Sequence, residues 1–176
     1  MNTTETELGQ VLRDGERVGL RFVRRYPHPV ERVWSALTDS DQLRHWMPCD
    51  IVGRRCAGAE ITLPFWPDQV AKHQLEQTSY PGRIEVWDPP EVFEWLWGGD
   101  RLRFELEPAE NGTTLTFTTW LENHDLREAA GVAGGYHLCL DQLRLLVGAG
   151  EMPLLTDRDD EAHALEPTYR ERLERG

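Results

Sequence analysis

The spacing of hydrophobic and polar positions changes several times along the chain. From Gly9 to Tyr26 the text reads GQVLRDGERVGLRFVRRY, in which Leu20, Phe22 and Tyr26 alternate with Arg21 and Arg25. A period of two predicts a strand with one buried face, and the Asp14-Gly15 pair ahead of it predicts a hairpin turn, since both residues tolerate positive φ. The next stretch, YPHPVERVWSALTDSDQLRHWM, takes on helical spacing and is broken by Thr38-Asp39-Ser40-Asp41. Two short helices are expected, beginning after Pro27 with Pro29 in the first turn. Thr38 or Asp39 should cap the second, a contribution of about 1 kcal/mol. Helices this short are marginal alone, so Trp34 and Trp46 are expected to pack them over the mouth of a sheet.

Alternation returns at Ile61, Leu63 and Phe65, followed by the polar interval WPDQVAKHQLEQTSYPG. Three strand-like runs come next, RIEVW, VFEWLW and RLRFELE, punctuated by Asp88-Pro89-Pro90 and Gly98-Gly99-Asp100. Phe93, Trp95 and Trp97 share one face of the middle run and Val92, Glu94 and Leu96 the other, so cover on both sides is expected. Glu94 reads as a rim carboxylate or a solvated one. Asn111-Gly112 signals a further hairpin leading into TTLTFTTWL.

From Asp125 to Val147 the period lengthens again. Leu126, Ala129, Ala133, Tyr136, Leu140, Leu143 and Val147 fall on one face of a long helix. Gly131, Gly134 and Gly135 each cost that helix about 1 kcal/mol relative to alanine, which calls for a bend or a close approach of backbone. Gly148 and Gly150 are candidate stops. The remainder is a charged tail with a short helical end that can fold back through Leu165, Tyr169 and Leu173. The expected organisation is a flexible N-terminus at 1–8, one domain at 9–150 and the tail at 151–176.

These elements predict an α+β fold: a curved antiparallel sheet wrapped around a long C-terminal helix, with two short helices after the first strand. A helix lying across a strongly bent sheet leaves part of the concavity unfilled, the usual form of a small-molecule site.

Charge narrows the choice of partner. The 176 residues hold 19 Lys and Arg against 31 Asp and Glu, a net charge of −12. Such a surface repels phosphate backbones and anionic lipid, so neither nucleic acid nor membrane is an expected partner. No apolar run reaches the ~18 residues of a membrane span, and the start MNTTETELGQ lacks the features of a secretory signal. Cys49, Cys56 and Cys139 make no even framework, which favours a reducing cytoplasm.

Catalytic and metal signatures are weak. His28, His45, His73, His124, His137 and His163 include no pair at the helical spacing of a zinc site, and Cys49 and Cys56 have Arg54 and Arg55 beside them rather than a second ligand pair. No metal and no cofactor are expected. AGVAGG at 130–135 follows no Rossmann strand, and no nucleophile elbow or phosphate loop is present. No catalytic residue is assigned.

Four segments together carry a resemblance: RRYPHPVERVWSALTDSDQLRHWM, GRIEVWDPPEVFEWLW, NGTTLTFTTWL and AAGVAGGYHLCLDQLRLLVG. They resemble START-like proteins of the SRPBCC superfamily, and within it the single-domain bacterial relatives of the activator of heat-shock-protein ATPase homologue type. The resemblance spans residues 9 to 150. It implies a helix-grip fold, with a sheet of seven or slightly fewer strands around the C-terminal helix and a pocket between them. Many relatives carry tryptophan where this chain has Tyr136; burying its hydroxyl unpaired costs about 1–3 kcal/mol, so it must find a partner or face the pocket.

The function so implied is binding of a small apolar or amphipathic ligand, without catalysis. The pocket is expected to include Phe22, Trp46, Phe65, Trp95, Phe104, Phe117, Tyr136 and Leu140, with Tyr136 and His137 as polar contacts. Two rivals stand beside it. One is a co-chaperone-like or stress-response interaction module with a chaperone or other protein as partner. The other is a cyclase- or hydratase-type enzyme using His137 and a carboxylate in the same pocket. Monomer and homodimer both remain open, since an open sheet edge could support a dimer.

Overall fold

The computed structural model describes residues 7–149 and 154–176. Residues 1–6 of the expected flexible terminus, and Gly150, lie outside the described residues. The first hairpin joins β1 (Gln10–Asp14) to β2 (Arg17–Tyr26), with Gly15 at φ 60° supplying the left-handed turn. The helical pair follows as α1 (Val30–Thr38) and α2 (Ser40–Leu43), with Pro29 just before the first turn rather than inside it. The expected side-chain cap on α2 is absent. Asp39 holds the cap position without a side-chain hydrogen bond, and the Thr38 hydroxyl instead donates back to the Trp34 carbonyl at 2.9 Å.

Next come β3 (Glu60–Pro64), α3 (Pro67–His73), β4 (Ser79–Asp88), β5 (Val92–Trp97), β6 (Asp100–Ala109) and β7 (Gly112–Leu121). Helix α3 falls in the interval read as merely polar. It is two turns long and buries only Gln69, so it leaves no apolar stripe in the sequence, but Pro67 at its start and Lys72 and His73 in its last turn fit helix ends. The chain closes with α4 (Leu126–Ala149), a 3-10 turn at Leu155–Arg158 and α5 (Asp159–Arg175). Helix α4 runs through Gly148 without stopping there.

The seven strands among the described residues form one antiparallel sheet in the order β1-β2-β7-β6-β5-β4-β3. Strand register lays concave-face residues out in transverse rows. One row is aromatic throughout: Trp87, Phe93, Phe104, Phe117 and Phe22 are cross-strand partners in turn. Its rings touch, with centroids 4.5 Å apart for Phe104–Phe117 and 6.0 Å for Phe22–Phe117. The next row holds Ile84, Trp95, Leu102, Thr119 and Leu20, and beyond it Gly82, Trp97 and Asp100 end the sheet at the Gly98-Gly99 turn. Among the described residues no second layer covers β5 on the convex side, where Val92 and Leu96 are only half-buried, contrary to the two-sided cover expected. Glu94 is instead shielded by cross-strand arginines, Arg101 at 2.5 Å and Arg103 at 2.9 Å.

The two tryptophans anchor the short helices as their size suggests. Trp46 is buried, its indole nitrogen donates to the Ala36 carbonyl at 2.8 Å, and its ring meets Phe104 edge-on at 6.0 Å. Trp34 packs on Trp87 and Phe93, at 5.1 and 6.2 Å.

Helix α4 crosses the concave face with Ala129, Ala133, Leu140, Leu143 and Val147 buried, while Leu126 stays partly exposed. Its glycines resolve into distinct roles. A Cβ on Gly134 would lie 2.6 Å from the Ala162 carbonyl oxygen, so α5 crosses α4 where Gly134 permits backbone contact. A Cβ on Gly135 would meet nothing within 4 Å. Helix α5 buries Tyr169 and Leu173 against the body, and its Tyr169 hydroxyl accepts from the Gly9 amide at 3.0 Å while lying 2.7 Å from His137 Nδ1.

Candidate functional site

The aromatic row is filled by its own rings and by Tyr136, whose ring centroid sits 5.0 Å from that of Phe117. Toward the β5–β6 turn the sheet ends while α4 continues, and the space left between them is a cavity of about 390 Å³. That lies within the roughly 300–1,000 Å³ typical of small-molecule sites. Tyr80 and Trp97 form its sheet wall, and Val132, Gly135, Tyr136 and Cys139 its helix wall, with Pro48 at the side. Phe65 packs against the sheet wall, its ring 5.9 Å from Tyr80 and 5.7 Å from Trp97. A second hollow of about 230 Å³, walled partly by α3 and α5, shares Pro48, Gly135 and Cys139 with the first.

Polar groups gather at one end. Asp100, Glu122 and His124 line the mouth beside Gly98 and Gly99. The Asp100 carboxylate accepts from the Glu122 amide at 2.8 Å and holds His124 Nε2 at 3.0 and 3.1 Å from its two oxygens. The Glu122 carboxylate lies over Gly99, where a side chain would run into it, and has no ion-pair partner among the described residues. No lysine or arginine lines the cavity among the described residues. Arg101, adjacent to Asp100 in the chain, faces the other side of the sheet and binds Glu94.

Burial keeps the inner groups neutral. It pushes the Cys139 thiol up to about 12. The Tyr136 phenol is also raised well above its ordinary value, by burial first and by Asp100 second, with the Thr119 hydroxyl opposing. One row inward from the mouth, Trp95 Nε1 is buried without a hydrogen-bond partner among the described residues. Among those residues no group of His, Cys, Asp and Glu converges to hold a metal ion.

The residues predicted from the sequence divide in three. Tyr136 lines the cavity, and Phe65 touches its wall residues Tyr80 and Trp97 without lining it. Phe22, Trp46, Trp95, Phe104, Phe117 and Leu140 lie instead in the packed core, none more than 3% exposed, because stacking across the strands consumes the space they border. His137 points the other way. Its Nδ1 meets Tyr169 and its Nε2 lies 3.6 Å from Asp141, so it ties α4 to α5 rather than reaching the cavity. The sequence reading overlooked Tyr80, Trp97, Asp100, Glu122 and His124 as lining residues. Gly98-Gly99-Asp100 was legible as a turn, and turns and strand ends at a sheet rim are where binding groups concentrate.

Comparison with known proteins bears on the fold. The family model described as activator of Hsp90 ATPase homolog 1-like protein matches residues 27–148. No curated protein matches the chain. A conserved protein of unknown function from Enterococcus faecalis superposes with a TM-score of 0.76 at 16% identity, covering 95% of this chain and 91% of that one. The solution structure of CalU16 from Micromonospora echinospora gives 0.71 at 18% identity, with 100% of both chains covered. A Bordetella parapertussis protein gives 0.65 at 23% identity, over 98% of this chain and 95% of the other. At such identities the likeness is one of fold alone.

Proposed function

The chain belongs to the activator of Hsp90 ATPase homolog 1-like family, and we propose that it works as a helix-grip binding domain for a small apolar or amphipathic molecule. The observation that carries this reading is the cavity between sheet and α4. Its walls are largely apolar, its polar groups sit at one end, and Gly135 leaves it open where any other residue would project into it. A molecule seated there exchanges water for Trp97, Tyr80, Val132 and Tyr136, at roughly 25 cal/mol for each Å² of apolar surface buried.

The test is a titration with prodan, a neutral dye whose emission shifts blue in apolar surroundings. Saturable binding, displaced by 1-octanol and abolished in Gly135→Leu, is the expected result. Non-saturable emission, or binding undiminished by Gly135→Leu, would overturn the proposal.

A second reading, proton-transfer catalysis, has one observation in its favour. The Asp100–His124 pair leaves His124 Nδ1 free beside the cavity, with the ring oriented by the carboxylate, as a general base requires. The pair replaces His137, which is committed to Tyr169. Base-promoted ring opening of 5-nitrobenzisoxazole, measured with His124→Ala as control, probes it; equal rates in both proteins would dismiss it.

A further inference from the structure

We propose that the cavity selects amphipathic molecules with a basic head group, a protonated amine rather than a carboxylate. The inference rests on the binding reading above and adds the chemical class of the ligand. Every charged side chain at the mouth points to it. Asp100 and Glu122 supply two carboxylates, of which Asp100 is already oriented by the Glu122 amide and by His124, while Glu122 has no cationic partner among the described residues. No lysine or arginine lines the space among those residues to receive an acid. Arg17 lines the adjoining hollow instead, where it lies over Trp120 at 5.1 Å and pairs with Asp14 at 3.8 Å.

The walls favour the same class. Tyr80, Trp97 and Tyr136 all line the cavity, and aromatic faces attract cations and not anions. A cation in the mouth therefore meets carboxylate oxygen and ring faces, with its apolar tail against Val132 and Gly135. A carboxylate head would meet two like charges and neither a lysine nor an arginine among the described residues. The net charge of −12 adds a long-range bias of the same sign to the approach, though not to the fit.

The experiment compares three probes of equal chain length, octylammonium, 1-octanol and octanoate, by calorimetry at neutral pH and 0.15 M salt, below aggregation. The expected order is octylammonium about tenfold tighter than octanol, with octanoate weaker than both by about tenfold or more. Glu122→Gln should remove most of the advantage of ammonium over octanol, and Gly135→Leu should abolish binding of all three. Octanol binding with no preference for the amine, or a preference that Glu122→Gln leaves intact, overturns the head-group inference alone. Amine binding that survives Gly135→Leu is association with the acidic surface and also overturns it. Failure of all three probes to bind overturns the binding reading beneath it.

Discussion

Gly134 and Gly135 are neighbours in one helix, yet the structure assigns opposite signs to the same substitution. Alanine at either position should recover the helical propensity that glycine forfeits, about 0.8–1.0 kcal/mol. At Gly135 nothing opposes that gain, because the new Cβ meets no atom within 4 Å. At Gly134 the new Cβ would stand 2.6 Å from a backbone oxygen of α5, an element that cannot yield by rotating a side chain. Overpacking of this kind costs about 1–3 kcal/mol, so the gain is offset or exceeded. Gly135→Ala should be more stable than the wild-type chain by about 1 kcal/mol, which for a protein this size raises Tm by about 2–4 °C. Gly134→Ala should be no more stable than wild type, and its α5 should become accessible to protease. Urea unfolding of both variants without added ligand measures the difference directly. Two gains of similar size would refute the close contact of α4 and α5. A loss at Gly135 would refute the open cavity.

Other outcomes follow from single groups. Tyr169→Phe removes the partner of both His137 Nδ1 and the Gly9 amide, so it should cost about 1–3 kcal/mol for each group stranded, read by chemical unfolding. Burial holds the His137 imidazole below its usual value, only partly countered by Asp141, so the unfolded chain binds a proton there before the folded one does. Stability should be full above pH ~6.5 and fall as pH drops through it, by at most about 1.4 kcal/mol per pH unit, a slope that His137→Gln should flatten. Cys139, with its thiol pushed up to about 12, and the buried Cys49 should resist N-ethylmaleimide at pH 8 while the half-buried Cys56 reacts, as mass spectrometry of peptides would show. Early labelling of Cys139 would mean that the cavity is wetter than its walls imply.

The fold was largely legible because its signals are local and repeated. Asp14-Gly15 and Asn111-Gly112 announced their hairpins, alternation marked the strands, and a 3.6-residue period marked α4. Helix α3 was missed because two turns that bury one glutamine leave no stripe. The cavity was legible as a consequence of architecture but not in its location. Sequence spacing shows that Phe22, Phe104 and Phe117 face inward; it does not show that register sets them side by side, where they fill the space for themselves. The open part lies one row past Trp95, where Trp97, Asp100 and the Glu122–His124 segment meet at the ends of three consecutive strands, a meeting set by register rather than by spacing. His137 illustrates the same limit. It sits beside Tyr136 in the chain, but one step along a helix turns a side chain by about 100°, enough to send it to α5 instead.

Indole and amide chemical shifts of the labelled protein test the central claim most directly. On titration with 1-octanol, the Trp97 indole and the amides of Val132, Gly135, Tyr136 and Cys139 should move together and saturate, while Trp34 and Trp120 stay fixed. Saturating shifts confined to other parts of the molecule, or none at all, would contradict a binding cavity between the sheet and α4.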